Sequence, residues 1–146
     1  MFSDSALFAG AHAGTTASQS PGHVSGITVP HHLLAVDLIA RGFRFAVGGR
    51  YERVIAVFPD HFRKATRPFA TTAQGFQTAY GPVSTDAAAV AKLVSTIPRI
   101  EVSELFKVDR GIHAVLPFLA RFFPKTKLTP TLKAQSATGS KCIVMS

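Results

Sequence analysis

The run Arg53-Val54-Ile55-Ala56-Val57-Phe58 constrains the fold more than any other segment. It is nearly continuous in apolar residues, has the length of a strand, and is closed by Pro59, which has no amide to give a neighbouring strand. Such a run is typical of a strand covered on both faces. Upstream, Ile27-Thr28-Val29 is a short β-branched run ended by Pro30 and reads as a first strand. Between the two, His31 to Val47 carries Leu34, Ala35, Leu38, Ile39, Gly42, Phe45 and Ala46 at three- and four-residue steps, with Gly48-Gly49 as the stop. That spacing predicts a helix with one apolar face. Strand, helix and strand in this order form a βαβ unit, whose right-handed crossover predicts two parallel, adjacent strands and an α/β fold.

The remaining chain continues the alternation. Arg63 to Tyr80, with turn signals at Gly75 and Gly81-Pro82, reads as a long loop or irregular hairpin. Thr85 or Asp86 can cap a helix over Ala87 to Val94, and Glu101 to Phe106 is a candidate strand. Asp109 caps a further helix whose stripe is Ile112, Val115, Leu116, Leu119, Phe122 and Phe123; Pro117 inside it predicts a kink or a first-turn register. Lys127 to Leu132 is a candidate last strand. The organisation expected is a loose arm over residues 1–24, a domain over 25–132 and an unpatterned tail over 133–146.

Composition narrows the function classes. A chain of 146 residues with 47% hydrophobic residues supports one buried core and excludes a disordered or fibrous chain. The single Cys142 excludes an internal disulfide framework and a multi-thiolate zinc site, so a reduced, cytoplasmic protein is expected. Sixteen Lys and Arg against eight Asp and Glu give a net charge of +8, which favours anionic partners. The basic residues form no run of four and no groove-reading motif. No apolar stretch reaches the ~18 residues of a membrane span, so no membrane association is expected. Cys142-Ile143-Val144-Met145 is followed by Ser146, which moves the cysteine out of the prenylation position.

The chemistry is concentrated in two matching segments, Ile27-Thr28-Val29-Pro30-His31 and Ala56-Val57-Phe58-Pro59-Asp60-His61. Each is a strand, a proline and then a histidine. In open parallel sheets, ligands bind beyond the carboxyl ends of strands, where both histidines fall. Neutral imidazole is the commonest side-chain ligand of transition metals, and two histidines with a third ligand suit iron, with zinc or copper as alternatives. His31 and His61 are therefore the candidate metal ligands, set against the plainer reading that each caps a helix or holds a loop. His113, near the start of the Asp109-capped helix, is a candidate third ligand; its alternative is a surface pair with Asp109 one turn away. Asp60, Asp109 and His32 are candidate supporting groups around the ligands, and Asp60 can equally fix the turn after Pro59. No Gly-x-Ser-x-Gly, Gly-x-Gly-x-x-Gly or phosphate-loop pattern occurs, which argues against a serine nucleophile and against nucleotide cofactors.

At these residues the chain resembles the Memo family, also called AmmeMemoRadiSam system protein B. The resemblance rests on Pro30-His31, on Pro59-Asp60-His61, on Thr78-Ala79-Tyr80-Gly81-Pro82-Val83-Ser84-Thr85-Asp86, and on Leu116-Pro117-Phe118-Leu119 followed by Phe123-Pro124. It implies a three-layer α/β sandwich like that of class III extradiol dioxygenases, with His31 and His61 at a metal-site-like cluster and the C-terminal part of the family fold missing. It also implies a metal-dependent oxidoreductase acting on an unknown small molecule, or a chain inactive as a fragment. The alternative function is a non-catalytic binding or scaffold protein that holds an anionic partner. The helix that usually begins Glu-His-Ser-Ile-Glu begins here Asp109-Arg110-Gly111-Ile112-His113, with Arg110 at the usual histidine and His113 at the usual glutamate. A shortened fold would leave an open sheet edge, through which a homo-oligomer is expected.

Overall fold

A computed structural model describes residues 10, 20–134 and 142–145. Most of the expected arm, and residues 135–141 and 146 of the expected tail, lie outside the described residues.

The elements run β1 (Gly26–Ile27), a 3-10 turn (Leu33–Ala35), α1 (Val36–Ala46), β2 (Arg53–Pro59), β3 (Phe69–Thr71), β4 (Phe76–Thr78), β5 (Gly81–Val83), α2 (Ala87–Thr96), β6 (Ile100–Val102), a 3-10 turn (Glu104–Lys107), α3 (Arg110–Phe122), β7 (Lys127–Lys133) and β8 (Cys142–Met145). Six strands form one mixed sheet in the order β1-β8-β2-β7-β3-β6, and β4 pairs only with β5. The fold class is therefore α/β with a mixed parallel and antiparallel sheet. Among the described residues no helix is long and apolar enough to cross a membrane.

The βαβ expectation holds in direction and fails in adjacency. β8 is antiparallel to both β1 and β2, so β1 and β2 are parallel to one another with β8 inserted between them. Residues 142–145, expected to be unpatterned, thus form a strand whose Ile143 lies opposite both Ile27 and Ala56. β1 is also shorter than expected, ending at Ile27. Expected strand Glu101 to Phe106 resolves into β6 and the 3-10 turn after it, which Ser103 caps by accepting from the Leu105 amide at 3.2 Å.

Burial along β2 alternates: Val54, Ala56 and Phe58 are buried and the residues between them only half-buried, so this strand is fully covered on one face. That face meets α1 and α3, whose Ile39, Phe43, Ile112, Val115 and Phe118 share its core. Phe43 stacks on Phe118 at 6.1 Å and Phe122 at 6.4 Å, an arrangement that adds ~0.5–1.5 kcal/mol per pair beyond area burial. Ile55 and Thr129 instead line a shallow apolar groove with Ala89, Leu93 and Ile97 on and just after α2. Gly42 lets α1 press onto the segment after β1, since a Cβ there would lie 2.4 Å from Val29 Cγ1.

Both helix caps are as expected, Asp86 being the one of the two candidates that caps. Asp86 starts α2 by accepting from the Ala89 amide at 3.0 Å, and Asp109 starts α3 by accepting from Gly111 and Ile112. Pro117 sits inside one continuous α3 instead of in its first turn, and it is buried. Proline has no N–H for the carbonyl four residues back, so α3 omits that bond and compensates through its buried face.

Candidate functional site

β1 and β2 are parallel, so their carboxyl ends reach the same edge of the sheet. With β8 between them the two strands stand about 10 Å apart, two strand spacings, and β2 runs three residues further, from Ala56 level with Ile27 to Pro59. The segments leaving them close that gap. After β1, Val29 is buried and Pro30 turns the chain so that His31 packs inward, 7% exposed. After β2, the Asp60 amide bonds Lys133 O at 2.9 Å, extending the β2–β7 ladder by one residue. The Asp60 carboxylate then accepts from Phe62 N at 3.0 Å and Ala65 N at 2.7 Å, closing a tight loop on which His61 projects. Arg63 in this loop has φ 53°, a left-handed conformation uncommon for arginine. Asp60, fully buried, has the turn role of its two alternatives; both carboxylate oxygens go to the loop and none to a histidine.

The result is direct contact between the two predicted histidines. Their Nε2 atoms lie 2.5 Å apart and their ring centroids 4.5 Å apart. His61 Nδ1 is 2.9 Å from Asp109 Oδ2. A carboxylate only accepts, so Nδ1 of His61 carries the proton of this bond, and Nε2 faces His31. The other oxygen, Asp109 Oδ1, accepts from Gly111 N at 2.9 Å and Ile112 N at 3.3 Å. One fully buried carboxylate therefore both caps α3 and orients a candidate ligand. At 2.5 Å the two Nε2 atoms have room between them for a shared proton; a metal bound to both through bonds of about 2.0–2.1 Å would sit to one side of the pair and spread the nitrogens to about 3 Å.

Gly111 makes the contact feasible. A Cβ at this position would stand 2.7 Å from His61 Cε1 and 2.9 Å from His31 Cδ2, inside the closest approach that carbon atoms allow. The His32 ring lies 4.0 Å from His31 and 6.4 Å from His61 between centroids, at the open side of the pair. Together His31, His32, His61, Phe62, Arg110 and Gly111 line a crevice of about 420 Å³, within the range of small-molecule sites.

His113 is placed elsewhere. It follows Gly111 by two residues, about 200° around a helix of 3.6 residues per turn, and so faces away from the crevice. Its Nε2 reaches the carbonyls of Phe106 at 3.1 Å and Lys107 at 3.2 Å, and its ring stands edge-on to Phe76 at 6.1 Å. Asp109, the alternative partner expected for His113, pairs with His61 instead. Among the described residues, no three or more His, Cys, Asp or Glu side chains are grouped to hold a metal. Sequence reasoning assigned no role to Gly111 or Phe62. A glycine in the first turn of a helix, where it costs stability, is the local signal that points to Gly111.

Comparison with known families and with curated proteins finds no match to this chain.

Proposed function

We propose that the protein binds a divalent metal in this crevice through His31 Nε2 and His61 Nε2, with iron as the first candidate and zinc or copper as alternatives. The observation that carries the proposal is the convergence of the two Nε2 atoms while Asp109 holds the far nitrogen of His61, the carboxylate–histidine device that orients metal-bound imidazoles. The donor set fits a metal that keeps several positions for water or ligand oxygens. A redox-active metal held there would supply oxidative chemistry on a small molecule. The chain's own residues would orient that molecule: Phe62 forms an apolar wall and His32 offers a ring nitrogen at the mouth. This reading includes the resemblance to the Memo family and its three-layer, dioxygenase-like fold, which the motifs Pro30-His31 and Pro59-Asp60-His61 support.

The test is elemental analysis of protein loaded with iron(II), zinc or copper and freed of excess metal, beside His31→Ala and His61→Ala. Near-stoichiometric metal in the parent and at least tenfold weaker retention in both variants is expected. Equal metal content in all three proteins would leave the pair as a hydrogen-bonded core contact sharing a proton.

A further inference from the structure

We infer that the crevice takes a small oxyanion, a carboxylate- or phosphate-bearing molecule, whose anionic end pairs with Arg110 while its body enters beside the histidine pair. The inference rests on the crevice described above and deepens the proposed metal reading by naming the class of ligand. Arg110 is exposed and lines the mouth, and among the described residues none of the ion pairs found involves it. The surrounding acids are already engaged. Asp109 is buried beneath His61 and serves His61 and two helix amides. Asp60 is buried and serves the loop amides. Among the described residues no carboxylate lines the crevice: its walls carry one permanent cation and three imidazoles, and the Asp109 carboxylate lies behind His61.

The shape of the charge matters as well as its sign. A guanidinium presents its donors as a planar fork that matches carboxylate and phosphate oxygens in pairs. Being always protonated and without a free lone pair, Arg110 cannot ligate a cation, so its place beside the imidazoles serves a ligand and not the metal itself. His32, at the same mouth, supplies a ring N–H to a second oxygen. The molecule's net charge of +8 raises the local concentration of anions around this opening.

The experiment titrates the full-length protein at constant ionic strength with inorganic phosphate in one arm and malonate in the other. Binding is followed by calorimetry and by the ring signals of the histidines in nitrogen-15 spectra, on metal-free and metal-loaded samples of known metal content. Saturable binding of at least one anion, with His32 and His61 signals moving, is expected; the stronger arm identifies phosphate or carboxylate as the favoured group. Arg110→Gln should weaken that binding about tenfold, equivalent to about 1.4 kcal/mol, while Arg41→Gln, an exposed arginine on α1, should leave it unchanged. No saturable binding, or equal affinity in Arg110→Gln and the parent, overturns the inference. Arg110-dependent binding in a protein that retains no metal would sustain the oxyanion site and refute the metal proposal, so the two fail separately.

Discussion

At the scale of single residues the site depends on an absence of side chain as much as on the side chains present. Gly111 gives His31 and His61 the room to meet, and Asp109, two residues before it, holds Nδ1 of His61. In an ordinary helix, glycine to alanine stabilises by roughly 0.5–1 kcal/mol. Here the added Cβ would displace both rings, because its nearest neighbours at 2.7 and 2.9 Å are ring carbons of the two histidines. Gly111→Ala is therefore expected to keep the helix content seen by circular dichroism while lowering metal affinity on the order of 10- to 100-fold, as disruption around a metal site commonly does. Calorimetric metal titration of the variant checks this, and parent-like affinity would show that the rings do not need their mutual approach. The two histidines themselves were legible in the sequence because each stands just after a proline that closes an apolar run, His31 directly after Pro30 and His61 two residues after Pro59. His113 was misplaced for an equally local reason: helical spacing relates it to Asp109 but does not reveal that Gly111, two residues earlier, faces the crevice.

At the scale of elements, features set by neighbours along the chain were readable and features set by distant pairing were not. The caps Asp86 and Asp109 follow from an acidic side chain just before an apolar periodic run. β8 could not be read: four apolar residues after a Ser-, Thr- and Gly-containing stretch become a strand only through partners at residues 26–27 and 54–57. The face of α1 was read only in part, since Leu34, Leu38 and Phe45 follow the same period as the truly buried Ile39, Phe43 and Ala46, and periodicity cannot rank two apolar stripes on one helix. Asp86 yields a prediction at this scale. Its bond from the Ala89 amide, and then its bond from Arg53 Nε at 2.6 Å, hold its carboxyl below the usual aspartate value of 3.8. A carboxyl depressed on folding contributes stability that is present above the unfolded value and lost as pH falls through the folded one. Stability should thus fall as pH drops below about 4, and Asp86→Asn, which keeps a capping oxygen but no charge, should flatten that part of the curve. Urea unfolding midpoints between pH 2.5 and 6 measure it; an unchanged acid slope in the variant would assign the loss to other carboxylates.

At the scale of the whole molecule, two surface properties oppose each other. The net charge of +8 keeps copies apart at low ionic strength, whereas α1 and the turn before it expose Leu34 at 101%, Leu38 at 48% and Phe45 at 50%. Steps of four and seven residues place these three on one helical face, with exposed Arg41 between them. The sheet edges are weaker templates for association than expected from the sequence: β1 has two residues and β6 three, and edges this short resist strand pairing. Self-association is therefore expected through α1 instead of through the sheet edge, and its salt dependence should carry the opposite sign to that of an ion-paired interface. Screening shortens from about 10 Å at 0.1 M to about 3 Å at 1 M salt, which weakens the repulsion between copies and leaves the apolar attraction intact. Sedimentation velocity across that salt range should show a growing dimer or larger fraction in the parent, and Leu38→Glu should suppress it because the new carboxylate interrupts the apolar face at its centre. A parent that remains monomeric at every salt concentration, or a Leu38→Glu variant that associates as the parent does, would rule out α1 as the contact.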